Sequence, residues 1–82
     1  FNSMISHDCV TGSNNIFSPG SKILGWCKIG NNNYFGADSI MLPKTEIGNS
    51  NVIGANATLN KNFKNTKTLI GTPAKAYNKK KY

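Results

Sequence analysis

Read in steps of six, the chain keeps one column almost wholly apolar: Ile5, Thr11, Phe17, Ile23, Ile29, Phe35, Met41, Ile47, Ile53 and Leu59, with Thr11 the single exception. Two residues before each stands a small or compact polar residue: Ser3, Cys9, Asn15, Ser21, Cys27, Asn33, Ser39, Thr45, Asn51 and Ala57. Directly after the apolar column glycine recurs, at Gly12, Gly30, Gly36, Gly48 and Gly54. An α-helical stripe cannot hold a period of six over this length, because its repeat of about 3.6 residues drifts around the helix. Strand alternation alone leaves the recurring turn residues unexplained. The pattern predicts short strands joined at corners, wound into a solenoid.

A longer period lies on top of the first. At a spacing of eighteen, Asn15, Asn33 and Asn51 form one file, Cys9 and Cys27 with Thr45 a second, Phe17, Phe35 and Ile53 a third, and Leu24 and Leu42 a fourth. Three strands per turn make a triangular coil, in which residues eighteen apart stack at the spacing of neighbouring strands, about 4.8 Å. The apolar column and the small column both point inward; stacked asparagines hydrogen-bond along the axis and stacked aromatics pack face to face. The fold class predicted is therefore all-β, a parallel β-helix of hexapeptide repeats over residues 1–60, about three and a third coils from ten hexads. Residues 61–75 read as a polar loop followed by a final partial coil at Thr68–Gly71, with Thr72–Lys75 turning the chain out of the solenoid. Residues 76–82 read as a basic, frayed tail. The first coil would present an open strand edge, and an element that covers it is expected.

Composition narrows the picture. At 82 residues the chain is one small domain, which buries little core alone and gains from oligomerisation. No apolar run approaches the roughly 20 residues of a membrane span. The opening on Phe1 carries no signal-peptide pattern and is read as a sign of further sequence upstream. The net charge of +7 comes from ten lysines and no arginine. Nucleic-acid binders exploit the bidentate arginine fork, so nucleic acid is not the expected partner. The lysines thicken toward the end, through Lys61, Lys64, Lys67, Lys75 and Lys79 to Lys81. That excess reads either as a solvated tail or as attraction for a polyanionic ligand.

Hexads that end in Gly71-Thr72-Pro73-Ala74-Lys75 resemble the hexapeptide-repeat acyltransferase superfamily. Ile5-Ser6-His7-Asp8-Cys9-Val10, followed by Ser18-Pro19-Gly20, is similar to one branch of it, the sialic acid O-acetyltransferases and UDP-amino-sugar N-acetyltransferases of bacterial glycan synthesis. The resemblance implies a left-handed β-helix, although the general rule for crossovers favours the right hand. It further implies acetyl-CoA as donor, a sugar as acceptor, no metal, a homotrimer with its site between subunits, and a cytoplasmic location. In that reducing setting Cys9 and Cys27, one coil apart, are expected as buried free thiols. The chain departs from the branch in lacking a preceding sugar-gripping domain, and in Trp26-Cys27, where relatives more often show asparagine and valine. Trp26 is expected on the surface beside a corner, without an assigned role.

Acetyl transfer needs a base for the acceptor's proton and a donor for the developing oxyanion. His7 is the only histidine, and imidazole titrates near pH 6.5 in water, which suits a base at neutral pH. It falls at a corner, in a file with Gly25, Pro43 and Lys61, and a glycine one coil away opens space beside the ring. The resemblance makes His7 the general base and the Gly25 amide the oxyanion donor. Asp8 either orients His7, as the acidic neighbour does in the amino-sugar enzymes, or bonds local backbone at the corner. By the same resemblance the backbone at Ala37 and Ala55 contacts acetyl-CoA, the alternative being plain close packing at a turn, and Ile16 replaces a histidine that lines the substrate site; Lys75 reads either as a partner for a CoA phosphate or as an ordinary exposed lysine. One histidine excludes a zinc-dependent carbonic anhydrase of this fold, which needs three. An ice-binding solenoid would show a regular threonine face, and a nucleotidyltransferase a long preceding domain. The remaining alternatives are a non-catalytic trimerising solenoid and a transferase of the same fold with another small acceptor.

Overall fold

A computed structural model of the chain describes residues 3–77. Of the frayed tail expected over 76–82, Ala76 and Tyr77 are instead bonded to the solenoid, Ala76 opposite Leu69 and Tyr77 N–H on the Thr68 carbonyl at 2.7 Å, and Asn78 to Tyr82 lie outside the described residues. The strands are β1 (Met4–Ile5), β2 (Val10–Thr11), β3 (Ile16–Phe17), β4 (Lys22–Ile23), β5 (Lys28–Ile29), β6 (Tyr34–Phe35), β7 (Ile40–Met41), β8 (Glu46–Ile47), β9 (Val52–Ile53), β10 (Thr58–Leu59), β11 (Thr68–Ile70) and β12 (Lys75–Ala76). No helix occurs among the described residues, and so none that is long and apolar enough to cross a membrane. The strands build three parallel sheets, the faces of a prism. The first face is β1-β4-β7-β10, the second β2-β5-β8, and the third β3-β6-β9-β11, with β12 added antiparallel at its end. The result is a left-handed parallel β-helix of about four turns. The right-hand preference for crossovers draws on a twisted strand feeding a helix, and this chain has two-residue strands and no crossover helix.

From β1 to β10 each two-residue strand presents its first residue outward and its second inward, as the period of two requires, whereas both residues of β12 are exposed. Ile23, Ile29, Phe35, Met41, Ile47, Ile53 and Leu59 are buried, each such side chain contributing roughly 1.5–3 kcal/mol on removal from water. The small column lies inside as well: Ser21, Cys27, Asn33, Ser39, Thr45, Asn51 and Ala57 are buried. The eighteen-residue register is kept from Met4 opposite Lys22 through Ile40 opposite Thr58. In the first coil the inward Ile5 is 47% exposed.

Polar groups inside the coil are matched along the axis. Asn33 donates from Nδ2 to Asn15 Oδ1 at 3.1 Å and to the Gly48 carbonyl at 2.9 Å, while its own Oδ1 accepts from the Asn51 backbone at 2.8 Å and side chain at 3.0 Å. Phe17 and Phe35 stack at 4.8 Å between centroids, 17° from parallel. A second asparagine file, not anticipated, runs outside the same corner: Asn31, Asn49 and Asn65 accept from the backbone N–H of Ser13, Asn31 and Asn49 at 2.7, 2.7 and 2.6 Å. Gly30 is required there, since a Cβ would collide with the Asn49 side-chain oxygen and the Gly48 carbonyl.

The solenoid continues further than the hexads predict. Phe63 bridges Ile47, and Thr68 and Leu69 pair with Val52 and Ile53, an offset of sixteen rather than eighteen. Two residues are dropped between Leu59 and Phe63, so counting in sixes loses the frame just where Lys61–Lys67 looks like a polar loop. Leu69 is fully buried at the inward position. Nor does Thr72–Lys75 lead the chain outward: a turn at Gly71–Ala74 folds β12 back onto β11, Leu69 opposite Ala76, and Ala74 is buried against the core.

Candidate functional site

The corners repeat one backbone device. Three residues after each inward residue the chain adopts a left-handed conformation: Asp8, Asn14, Gly20, Trp26, Asn32, Asp38, Lys44, Ser50 and Asn56 all have φ between +58° and +81°. Glycine, asparagine and aspartate enter this region most readily, and most of the column is drawn from them. Trp26, Lys44 and the small Ser50 break the rule, and the two bulky ones, Trp26 and Lys44, stand at the corner between the first and second faces. For a bulky side chain this conformation costs on the order of 1 kcal/mol.

His7 stands at that same corner. Its Nδ1 lies 3.1 Å from Asp8 Oδ2. A carboxylate only accepts, so this bond places the neutral imidazole's proton on Nδ1 and its lone pair on Nε2. Nε2 has no hydrogen-bond partner among the described residues. The two side chains are 63% and 64% exposed, so the pair orients the ring and adds little to stability. Of the two readings of Asp8, the bond to His7 is the one its side chain makes; it makes none to local backbone among the described residues. The ring lies over Gly25, where a built Cβ would stand 3.3 Å from Cε1 and 3.5 Å from Nε2. Trp26 meets the ring edge-on, centroids 4.7 Å apart and planes at 89°. Sequence reasoning gave Trp26 no role; the signal available was its break in the left-handed column.

The backbone N–H groups just before that column differ by corner. Between the second and third faces they are taken up by the outer asparagine file. At the other two corners Gly25, Ala37 and Ala55 donate to no backbone carbonyl among the described residues. The structure thus brings His7, Asp8 and Gly25 together at one corner. Ala37 and Ala55 lie one above the other at a different corner, between the third and first faces, where Asn56 N donates to the Ala37 carbonyl at 2.9 Å. Lys75, exposed, follows the turn that continues this second group, with Thr72 Oγ1 bonded to the Asn56 carbonyl at 3.1 Å. Ile16 is on the outer surface of the third face, 59% exposed and opposite Tyr34, away from His7's corner. The sequence-predicted residues therefore form separate groups within one chain.

An open groove of about 440 Å³ lies elsewhere, at the far end of the second face, lined by Glu46, Ile47, Gly48, Asn62, Phe63, Lys64 and Asn65. It holds none of the predicted residues, because corners of a prism are convex. Among the described residues no cluster of histidine, cysteine and carboxylate side chains is fit to hold a metal. Cys27 is buried and Cys9 half-buried; both are free thiols, pointing their Sγ at the carbonyls of Leu42 and Leu24 at 3.2 and 3.1 Å.

Residues 27–61 match the family described as bacterial transferase hexapeptide (six repeats). No curated protein matches the sequence. Several solved structures do resemble the fold. Serine acetyltransferase from Neisseria gonorrhoeae, in complex with serine, is 26% identical with a TM-score of 0.80, over 92% of this chain and 37% of its own. The acetyltransferase domain of PglB from Neisseria gonorrhoeae, in complex with acetyl coenzyme A, is 16% identical with a TM-score of 0.75, over 93% of this chain and 55% of its own. PerB from Caulobacter crescentus, in complex with CoA and GDP-perosamine, is 15% identical with a TM-score of 0.72, over 94% of this chain and 55% of its own. The chain thus spans from about a third to about half the length of these proteins. What it has in common with them is the hexapeptide repeat and the left-handed β-helix of acetyltransferases.

Proposed function

We propose that this chain carries the acetyl-transfer site of an acetyl-CoA-dependent sugar acetyltransferase, with His7 as general base. The observation that carries the reading is the first corner itself: an imidazole whose Nδ1 is held by Asp8, whose Nε2 is unpartnered among the described residues, and which lies over Gly25, a residue whose N–H is not used by the coil. His7 Nε2 takes the proton from the acceptor's hydroxyl or amine as that group attacks the thioester carbonyl. The Gly25 N–H donates to the carbonyl oxygen on which charge develops. His7 then returns the proton to the departing thiolate, leaving CoA and the acetylated acceptor. The acetyl coenzyme A bound in PglB, and the CoA and GDP-perosamine bound in PerB, support acetyl-CoA and a sugar as the substrates.

The working unit in this reading is a homotrimer. Ala37, Ala55 and Lys75 fit the donor as a cation and two backbone N–H groups that meet no backbone carbonyl among the described residues, yet they occupy a different corner from His7. A second copy packed alongside brings one chain's cofactor corner to its neighbour's base corner and turns two convex edges into a groove, the shape that small-molecule sites need. Ile16, Tyr34 and Val52, in register and exposed on the third face, are the apolar surface available for such packing.

Release of free thiol from acetyl-CoA, measured against a panel of sialic acids and nucleotide-linked amino sugars, tests the reading. His7→Ala should lower turnover by about 100-fold or more while circular dichroism and melting stay unchanged. Near-normal turnover in that variant sinks the base assignment. A chain that oligomerises but shows no acetyl-CoA binding by calorimetry is instead a non-catalytic solenoid.

A further inference from the structure

Trp26 is the residue that the corner geometry does not explain. It adopts φ +59° where the other corners carry mostly asparagine, aspartate, glycine or serine. Burial does not account for it, since it is 52% exposed, and its indole N–H has no hydrogen-bond partner among the described residues. What it does touch is His7: the rings meet edge-to-face at 4.7 Å, and the Trp26 backbone N–H donates to the His7 carbonyl at 3.4 Å. A left-handed backbone at a strained position, held by a side chain that serves neither core nor turn, is the kind of outlier that points to function.

We propose that Trp26 is a positioning residue for His7: its indole holds the imidazole over Gly25, so that Nε2 stays where a proton must be taken. The inference rests on the reading of His7 as the base. An imidazole as exposed as this one, tethered by Asp8 alone, has other staggered rotamers open to it. The indole closes them from the side, Asp8 fixes Nδ1, and the absent side chain of Gly25 leaves room beneath. Edge-to-face contact between aromatic rings is favourable through their quadrupoles, which gives the preference a physical source.

Trp26 and His7 are the only tryptophan and the only histidine in the chain, so each reports on the other without labelling. A protonated imidazole in contact with an indole quenches its fluorescence. Emission of the unmodified chain should therefore fall as pH is lowered through the range in which histidine takes up its proton, and should stay flat in His7→Gln. The imidazole C–H proton resonances should be displaced by the indole ring current in the unmodified chain, partly so in Trp26→Phe, and move to free-histidine values in Trp26→Asn. In acetyl transfer, Trp26→Asn should lose about tenfold in kcat with KM for acetyl-CoA within about twofold, as expected when a reacting group is loosened rather than removed. Trp26→Phe should keep most of the rate. Asparagine suits this backbone, so the melting temperature of Trp26→Asn should not fall, which separates lost positioning from lost fold. Flat emission in the unmodified chain, imidazole resonances unmoved in Trp26→Asn, or an unchanged kcat in that variant each overturns the proposal. If the unmodified chain transfers no acetyl group while emission and resonances behave as expected, the ring placement by Trp26 stands and the base assignment of His7 falls.

Discussion

The His7 imidazole lies over Gly25 so closely that a Cβ added at Gly25 would stand 3.3 Å from Cε1, tighter than ordinary van der Waals contact. Room for the ring is made by a residue one coil away, whose own N–H donates to no backbone carbonyl among the described residues.

Gly25→Ala follows directly. Its backbone is not among those with left-handed φ, so alanine fits the chain, but the ring must shift by a few tenths of an ångström. Because the His7 side chain is exposed and contributes little to the core, the melting temperature should change little. Turnover should drop by about tenfold, in keeping with the sensitivity of reacting groups to small displacements. Equal kcat for the two proteins in a thiol-release assay would disconnect Gly25 from the chemistry.

Asp8→Asn separates orientation from charge. Asparagine tolerates φ +58° as aspartate does and still offers an acceptor to Nδ1. Since both side chains are largely solvent-exposed, screening keeps the ionic part small. The expected loss in kcat is only a few-fold, against a larger loss for Asp8→Ala, which cannot bond the ring. Identical rates in the two variants would mean that Asp8 does not orient His7.

The inner asparagine file should show graded costs. Asn33 makes four side-chain hydrogen bonds and is 1% exposed, whereas Asn15 is only part-buried at the end of the file. Asn33→Ala leaves the Asn51 backbone N–H and the Gly48 carbonyl without their partner and takes from Asn51 Nδ2 one of its two bonds, the one to the Lys64 carbonyl remaining, at about 1–3 kcal/mol for each buried group left unmade. Asn15→Ala should cost about a third as much or less. Urea unfolding of the two variants measures the difference, and equal midpoints would show that the file is not a stabilising unit.

Both thiols are free, but their access differs. Titration with a chromogenic disulfide in the native state should reach half-buried Cys9 slowly and buried Cys27 not at all, and two equivalents should react after denaturation without reductant. Fewer than two in the denatured protein would indicate a disulfide.

For the trimer, multi-angle light scattering should give three times the mass of the chain. Tyr34→Lys, in the middle of the exposed Ile16–Tyr34–Val52 stripe, should shift the protein toward monomer and lower acetyl-CoA turnover together. A monomeric protein with full turnover would place the whole site within one chain.

The sequence alone determined the coil. A column of inward apolar residues every six positions, glycines after it and files at eighteen can be satisfied only by short strands wound three to a turn, because the pleat fixes which side chains face in and stacking fixes which residues meet. The Asn15–Asn33–Asn51 file and the Phe17–Phe35 stack were legible for that reason. Gly25 beneath His7 was legible too, since residues eighteen apart in one file must be neighbours. The final partial coil at Thr68–Gly71 was legible but its register and the Phe63 bridge were not, because the coil shortens by two residues before Phe63 and fixed-period counting cannot see a change of period that the packing of Phe63 and Leu69 enforces. Only the tertiary structure set Trp26 against His7: whether a side chain at a left-handed corner reaches across to the neighbouring coil depends on its rotamer and on the backbone direction there, neither of which the period specifies. It also placed Ala37 and Ala55 at a different corner from His7, and that separation within one rigid prism is the physical reason a second subunit enters the proposed site.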